Sequence, residues 1–253
     1  MAEVVTLKNL SKFYHTPSGE TEALRDINFS VAEKEFISII GPSGCGKSTV
    51  LSIIANLEKP SGGEIKINST NGKQSIGYML QQDHLFPWLT VRQNALLGLD
   101  IRKEKTKESE DRVDKLLKQY GLYNFKNKYP LELSGGMRQR AALIRTLAID
   151  PSVLLLDEPF SALDYQTRLA VSDDIHRIIK SEGKTAILVT HDISEAISMS
   201  DRVIVLTHRP AKVKNIYNIK LSSVDSPIER RKAPEFSNYF QTLWEELNDD
   251  VFS

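Results

Sequence analysis

The stretch Gly41–Thr49, GPSGCGKST, limits what this chain can fold into more than any other segment. It follows the compact apolar run Phe36–Ile40 and precedes Val50, Leu51, Ile53, Ile54 and Leu57, which trace one face of a predicted helix. A strand that feeds a glycine-rich turn and then a helix is the seed of an α/β core. Gly41, Pro42, Ser43, Gly44, Cys45 and Gly46 let the backbone wrap closely, so successive N–H groups turn inward onto phosphate oxygens. The helix N-terminus behind them adds a partial positive charge. In the pattern G-x-x-x-x-G-K-[ST], Lys47 reaches the β- and γ-phosphates, the Ser48 hydroxyl ligates Mg²⁺, and Thr49 ends the motif. Alone, the loop suits an ATPase, a GTPase or a kinase.

Two further apolar runs, Val153–Leu156 and Ala186–Val189, match Phe36–Ile40 in character. Such runs suit strands buried on both faces of a parallel sheet. Ile27, Phe29 and Val31 alternate with polar neighbours, as do Ile65 and Ile67, which predicts half-buried antiparallel strands. From about Thr90 to Gly121 the chain is charged and helix-prone, with Val113, Leu116 and Leu117 as a thin apolar stripe. Near the end, Phe236, Phe240, Leu243, Trp244 and Leu247 share one helical face.

The run VLLLDEP ends in two consecutive acids before Pro159. Acids at the end of a core strand are costly unless a cation meets them. Beside a phosphate loop, Asp157 is expected to bind Mg²⁺ through water, while Glu158 polarises the attacking water. The bland reading is a solvated strand end leading into a turn.

LSGGMRQR, Leu133–Arg140, is the most specific motif. Here the sequence resembles the ATP-binding subunits of ABC transporters, whose signature is LSGGQ, with Met137 in place of the usual Gln. Ser134, Gly135 and Gly136 offer a hydroxyl, bare N–H groups and a helix N-terminus, a second anion site. One chain does not easily put both anion sites on one phosphate; two head-to-tail copies do. The resemblance runs from Tyr14 to about Leu206. It implies that Tyr14 stacks on adenine, with Phe13 as the alternative ring. It implies that Gln81, beside Gln82, senses Mg²⁺ and water, that Ser161–Asp164 crosses a dimer interface, and that His191 steadies the γ-phosphate.

The fold so implied is a P-loop NTPase core with a mostly parallel sheet, an N-terminal antiparallel β layer and a helical subdomain inserted at about 88–150. A single nucleotide-binding domain would span 1–253, with a short C-terminal helix at about 235–248. Asp83–Val91 and Thr190–Leu206 resemble the nitrate, sulfonate and taurine importer group. That resemblance implies ATP and Mg²⁺ as cofactors, a second ATP-binding subunit, two transmembrane permease subunits, and a solute-binding protein engaged indirectly. The apolar lip after Gln81, with Phe86 and Trp88, is where the family docks its membrane partner; packing of the helical insertion is the competing role. The shared cassette motifs leave an exporter, or an ABC ATPase outside transport, as alternatives.

Composition agrees with a subunit that meets membranes only through partners. Lys+Arg and Asp+Glu balance at 33 each, which argues against a chain-wide nucleic-acid footprint. No apolar run approaches the roughly 20 residues that span a bilayer, and the first residues do not read as a signal peptide. The one cysteine, Cys45, suits a reducing compartment. A location at the cytoplasmic face of the membrane follows. Next to Lys47 and a helix N-terminus, the thiol is expected to have a lowered pKa and to label readily, or else simply to fill a tight loop.

Overall fold

A computed structural model describes residues 2–17, 19–68, 76–222 and 226–248. The chain opens with two long strands, β1 (Glu3–Thr16) and β2 (Gly19–Ala32), then β3 (Phe36–Ile40) and α1 (Lys47–Ile54). Strands β4 (Gly62–Ile67) and β5 (Ile76–Met79) precede the helices α2 (Val91–Arg102), α3 (Lys107–Gln119) and α4 (Gly135–Ala148). There follow β6 (Val153–Asp157), α5 (Tyr165–Ser181), β7 (Thr185–Val189), α6 (Ile193–Met199), β8 (Arg202–Leu206) and β9 (Val213–Asn218). The short α7 (Pro227–Arg230) and the longer α8 (Phe236–Asn248) come last.

Two sheets result. The larger has the order β5-β6-β7-β3-β8-β9, parallel except for the antiparallel edge strand β9. The smaller is antiparallel, β2-β1-β4. Strand periodicity explains how the layers stack. On β6, Leu154 and Leu156 face a cluster with Leu96, Leu116, Leu117, Leu143 and Leu147 from α2, α3 and α4. Val153 and Leu155, on the opposite face, join Val50, Leu51 and Ile54 of α1 with Leu7, Leu10 and Ile27 of the small sheet. The continuous apolar runs are thus strands covered on both sides, and the helix behind the glycine-rich loop is wedged between two sheets.

Caps set the helix starts. Thr90 and Gln93 form a reciprocal capping box on α2, and Thr106 with Ser109 does the same on α3. Ser134, Asp164 and Asp192 cap α4, α5 and α6. The predicted helical stretch from Thr90 is two helices, broken where Lys103 takes a left-handed conformation at φ 56°.

One expectation about an apolar face is corrected, and a second is qualified by burial. Leu57 does not continue the α1 face: Asn56 turns left-handed at φ 57°, the Leu57 N–H bonds back to the Ser52 carbonyl, and its side chain is exposed. That 6→1 closure ends the helix in Schellman fashion. On α8 only Leu243 is fully buried; Phe236 and Leu247 pack partly against α6 and β8, and Phe240 and Trp244 stay exposed.

The α2–α4 helices hold their place through apolar contact, so Leu117→Ala should reveal its size. Leu117 is fully buried, and its truncation is expected to lower unfolding stability by about 3 kcal/mol in a denaturant titration.

Candidate functional site

The glycine-rich loop lies at the C-terminal end of β3, where it passes to α1, and β6 and β7 end beside it. Ligand sites of open parallel sheets gather at that edge. A cavity of about 590 Å³ is lined by Ser43, Gly44 and Gly46–Thr49 on the loop side, and by Glu158, His191 and Arg209 opposite. Gly46 has φ 124°, and a Cβ there would come within 2.9 Å of Leu24. Only glycine combines that conformation with that contact.

Lys47 is buried, and its Nζ donates to the carbonyls of Gly41 at 2.8 Å and Pro42 at 2.9 Å. An ammonium has three donors, so the loop itself keeps this cation in place while leaving capacity for an anion. Ser48 Oγ donates to Asp157 Oδ1 at 3.0 Å, and Tyr78 Oη donates to Asp157 Oδ2 at 3.1 Å. Burial raises the Asp157 carboxyl above its ordinary value, with the two hydroxyl bonds working against it. A desolvated carboxylate adjoining a hydroxyl at the foot of a phosphate loop fits a hard, oxygen-ligated divalent cation, which would relieve that burial. Among the described residues no group of three or more His, Cys, Asp or Glu gathers as a protein-only metal cage. The pair therefore suits an ion that takes its remaining ligands from phosphate and water.

Glu158 sits one residue past the end of β6 with φ 44°. A non-glycine residue in that region costs roughly 1 kcal/mol or more. Here the strain is held by the Glu158 N–H bond to the Val189 carbonyl at 2.9 Å. Glu158 Oε2 meets His191 Nδ1 at 3.1 Å and accepts from Gln81 Nε2 at 3.4 Å. Gln81 and His191, 110 positions apart in the sequence, therefore meet at one oxygen of Glu158, and Glu158 and His191 line the cavity. Tyr14 lies against the far end of the loop, its Oη 3.5 Å from Thr49 Oγ1.

The signature is elsewhere. Ser134–Gly136 do not line the cavity; Ser134 Oγ caps α4 by accepting from the Met137 N–H. The two glycines allow close packing: a Cβ on Gly135 would lie 3.0 Å from Leu163, and one on Gly136 2.9 Å from Val171. The open first turn of α4 faces no phosphate loop within this chain's cavity.

Three residues near the site went unremarked in the sequence. Arg209, in the turn after β8, donates to the Gly44 carbonyl at 2.6 Å and adds a second cation to the cavity. Its distance in sequence from any motif hid it. Arg138 and Arg145, seven apart on α4, share one helical face, a signal that was available. Arg138 Nε bonds Asp83 Oδ2 at 3.0 Å, while Arg145 holds the carbonyls of His84 and Asp83 at 2.6 and 2.7 Å. The segment after Gln81 is thereby fastened to the signature helix. In that segment Trp88 is 68% exposed and stacks edge-wise on Phe86, ring centres 5.1 Å apart. Solvent exposure this large removes Trp88 from the packing role.

A larger cleft, about 950 Å³, opens at the N-terminal ends of the strands. Several of its charges pair with one another: Arg112 and Lys184 both grip Asp150, at 2.7 and 2.6 Å, and Arg112 first among them holds that carboxyl down at about 2.

The sequence profile described as ABC transporter matches residues 24–161, more than half of the chain. An ABC transporter ATP-binding protein of Bacillus subtilis is 51% identical, over 93% of this chain and 92% of its own. A taurine import ATP-binding protein of Pelagibacter ubique is 38% identical, over 98% and 94%. An aliphatic sulfonates import ATP-binding protein of Bacillus cereus is 41% identical, over 86% of each. Among solved structures, a dimeric ATP-binding cassette in a post-hydrolysis state with ADP and phosphate superposes with a TM-score of 0.72 and 35% identity. It covers 85% of this chain and 99% of its own.

Cys45 corrects the reactivity expected of it. Its thiol is 2% exposed and packs against Gly41, and burial raises its pKa despite Lys47 nearby. Desolvation outweighs the neighbouring charge, so the residue is a filler of a tight turn. Maleimide should label the native chain at least ~10-fold more slowly than the denatured chain, with or without ATP, by mass spectrometry.

Proposed function

From the premise that the chain belongs to the ABC transporter family as an ATP-binding subunit, we propose that it hydrolyses ATP to drive import of a small solute of the taurine and sulfonate class. The observation that carries the hydrolytic reading is the strained Glu158, whose carboxylate meets both His191 and Gln81 across the cavity from the phosphate loop. The import reading rests on the taurine and sulfonate relatives at about 40% identity over most of the chain.

In this reading the loop N–H groups of Gly41–Thr49 cradle the phosphates, and Lys47 turns from its two backbone carbonyls to the β,γ oxygens. Ser48 and, through water, Asp157 would hold Mg²⁺, with Gln81 as a further ligand, and the bound ion would supply positive charge to the phosphates. Tyr14, placed beside Thr49, stacks on the adenine; Phe13, its neighbour on the strand, faces the other way. Glu158 accepts a hydrogen bond from the attacking water, aligns it with the γ-phosphorus and draws off its proton as the bond to the β-phosphate oxygen breaks. His191 donates to the γ-phosphoryl oxygens, and Arg209 adds positive potential at the loop.

Each cavity lacks a lid from its own chain, because Ser134–Gly136 point elsewhere. A second copy, head to tail, would bring its signature over the loop and complete the site; a solved cassette that this fold resembles is a dimer with ADP and phosphate bound. The helices from α2 to α4 then act as the helical subdomain. The exposed Phe86–Trp88 lip of each copy receives one of two permease subunits, which place the chain at the cytoplasmic membrane face; a solute-binding protein is reached only through them.

Glu158→Gln is expected to bind ATP as tightly as the parent while losing at least ~100-fold in turnover, read by equilibrium binding and phosphate release. Near-parental hydrolysis would remove Glu158 from the mechanism. Trp88→Ala should leave melting temperature and ATP affinity unchanged yet weaken assembly with the permease, since a large aromatic anchor contributes about 2 kcal/mol. Uptake by the reconstituted complex measures that loss.

A further inference from the structure

Behind the cavity lies a second circuit of polar contacts that no step above uses. Glu195, on α6, is buried at 4% exposure, and its Oε2 accepts from Thr190 Oγ1 at 2.7 Å. That hydroxyl in turn accepts from the Asp192 N–H at 3.0 Å. Thr190 and Asp192 flank His191, so Glu195 holds the Thr190 hydroxyl and, through it, the Asp192 N–H on the other side. From α5, Arg168 approaches the same acids, with Nη1 at 3.6 Å from Asp192 Oδ2 and Nε at 4.0 Å from Glu195 Oε1. Its Nη2 donates to the Leu163 carbonyl at 3.1 Å. Leu163 belongs to the Ser161–Asp164 segment, and Ser161 Oγ donates to the Glu158 carbonyl at 3.0 Å.

The contacts close a ring that runs Glu158, His191, Thr190, Glu195, Arg168, Leu163, Ser161 and back to Glu158. One link is open. Arg168 Nε is buried without a hydrogen-bond partner, and Glu195 Oε1 stands just beyond bonding distance from it. Buried polar atoms are rarely left so, because an unmade bond in the interior costs about 1–3 kcal/mol. A shift of about 1 Å in the segment that Arg168 holds would complete the bond.

We propose that Arg168 and Glu195 are positioning residues that tie the Ser161–Asp164 segment to His191, so that seating of this segment aligns the hydrolytic pair. The inference rests on reading Glu158 and His191 as that pair. Neither Arg168 nor Glu195 lines the cavity; Arg168 acts through the Leu163 carbonyl and Glu195 through the Thr190 hydroxyl. The setting of Glu195 speaks for function over stability. Burial, with help from Asp192, pushes its carboxyl up to about 6, against the Thr190 bond and the charges of Arg168 and Arg231. A carboxylate whose ionised form burial makes less favourable than in water is a costly choice for a core position, and strained or costly groups collect where activity needs them.

The test compares the purified full chain with Glu195→Gln, Arg168→Met, the double variant and Glu158→Gln. Gln at 195 keeps an acceptor for Thr190 but loses the charge that draws Arg168. Each single variant is expected to lower kcat ~10-fold with KM for ATP within about twofold, and the double variant to be no worse than the poorer single. Melting temperature should stay at the parent's value in Glu195→Gln, which carries the test alone if Arg168→Met does not fold. Parental kcat in Glu195→Gln overturns the proposal, as does a double variant whose losses multiply. Loss of kcat only in step with lost melting temperature overturns it too. Glu158→Gln separates the two readings: full turnover there removes the hydrolytic pair and the brace with it. Lost turnover there, beside parental kcat in both Arg168→Met and Glu195→Gln, removes the brace alone.

Discussion

Strands covered on both faces can present polar groups only at their ends, and that constraint organises this molecule. β3, β6 and β7 are sealed between α1 and the antiparallel sheet on one side and the α2–α4 helices on the other. Every hydrogen-bonding side chain these strands deliver to solvent must emerge at an edge. At the C-terminal edge the backbone of three strands releases a phosphate loop, two carboxylates and a histidine within one cavity's reach. Moving any one of the strands by a residue would turn its side chains to the wrong face and break the convergence. The apolar covering is therefore what makes the polar constellation reproducible.

Within that frame, charges are balanced by distance and by backbone. Lys47 spends two donors on carbonyls of its own loop, so the loop is shaped around its cation before any anion arrives. Asp157 is tempered by two hydroxyls and remains destabilised by burial. A site arranged in this way is preorganised for a charged ligand, since its dipoles need little reorientation when one binds.

Much of this was legible in the residues. Phe36–Ile40, Val153–Leu156 and Ala186–Val189 read as doubly buried strands because no polar residue beyond Ser38 interrupts them, and all three are parallel neighbours or next-neighbours in the sheet. Where local chemistry governs, the reading succeeded, as with Thr90 and Ser134 at helix starts. It failed where tertiary context or backbone conformation decides. Leu57 left its helical face because Asn56 takes a left-handed conformation, which apolar spacing does not encode. The Cys45 pKa went the other way because desolvation depends on what packs over the loop. Arg209 belongs to no motif, and only the fold brings it 2.6 Å from Gly44.

The arginines of α4 have one more consequence. A helix of 14 residues is a stiff rod about 21 Å long. Its first turn carries Ser134 as cap, and Arg138 and Arg145 clamp its flank to Asp83 and His84. Push on the exposed indole of Trp88, four residues along from His84, and the push does not dissipate in a loop: it is delivered to a rod whose tip is the signature. Such a rod has the geometry of a lever arm, with the outer surface of the protein at one end and the capping serine at the other.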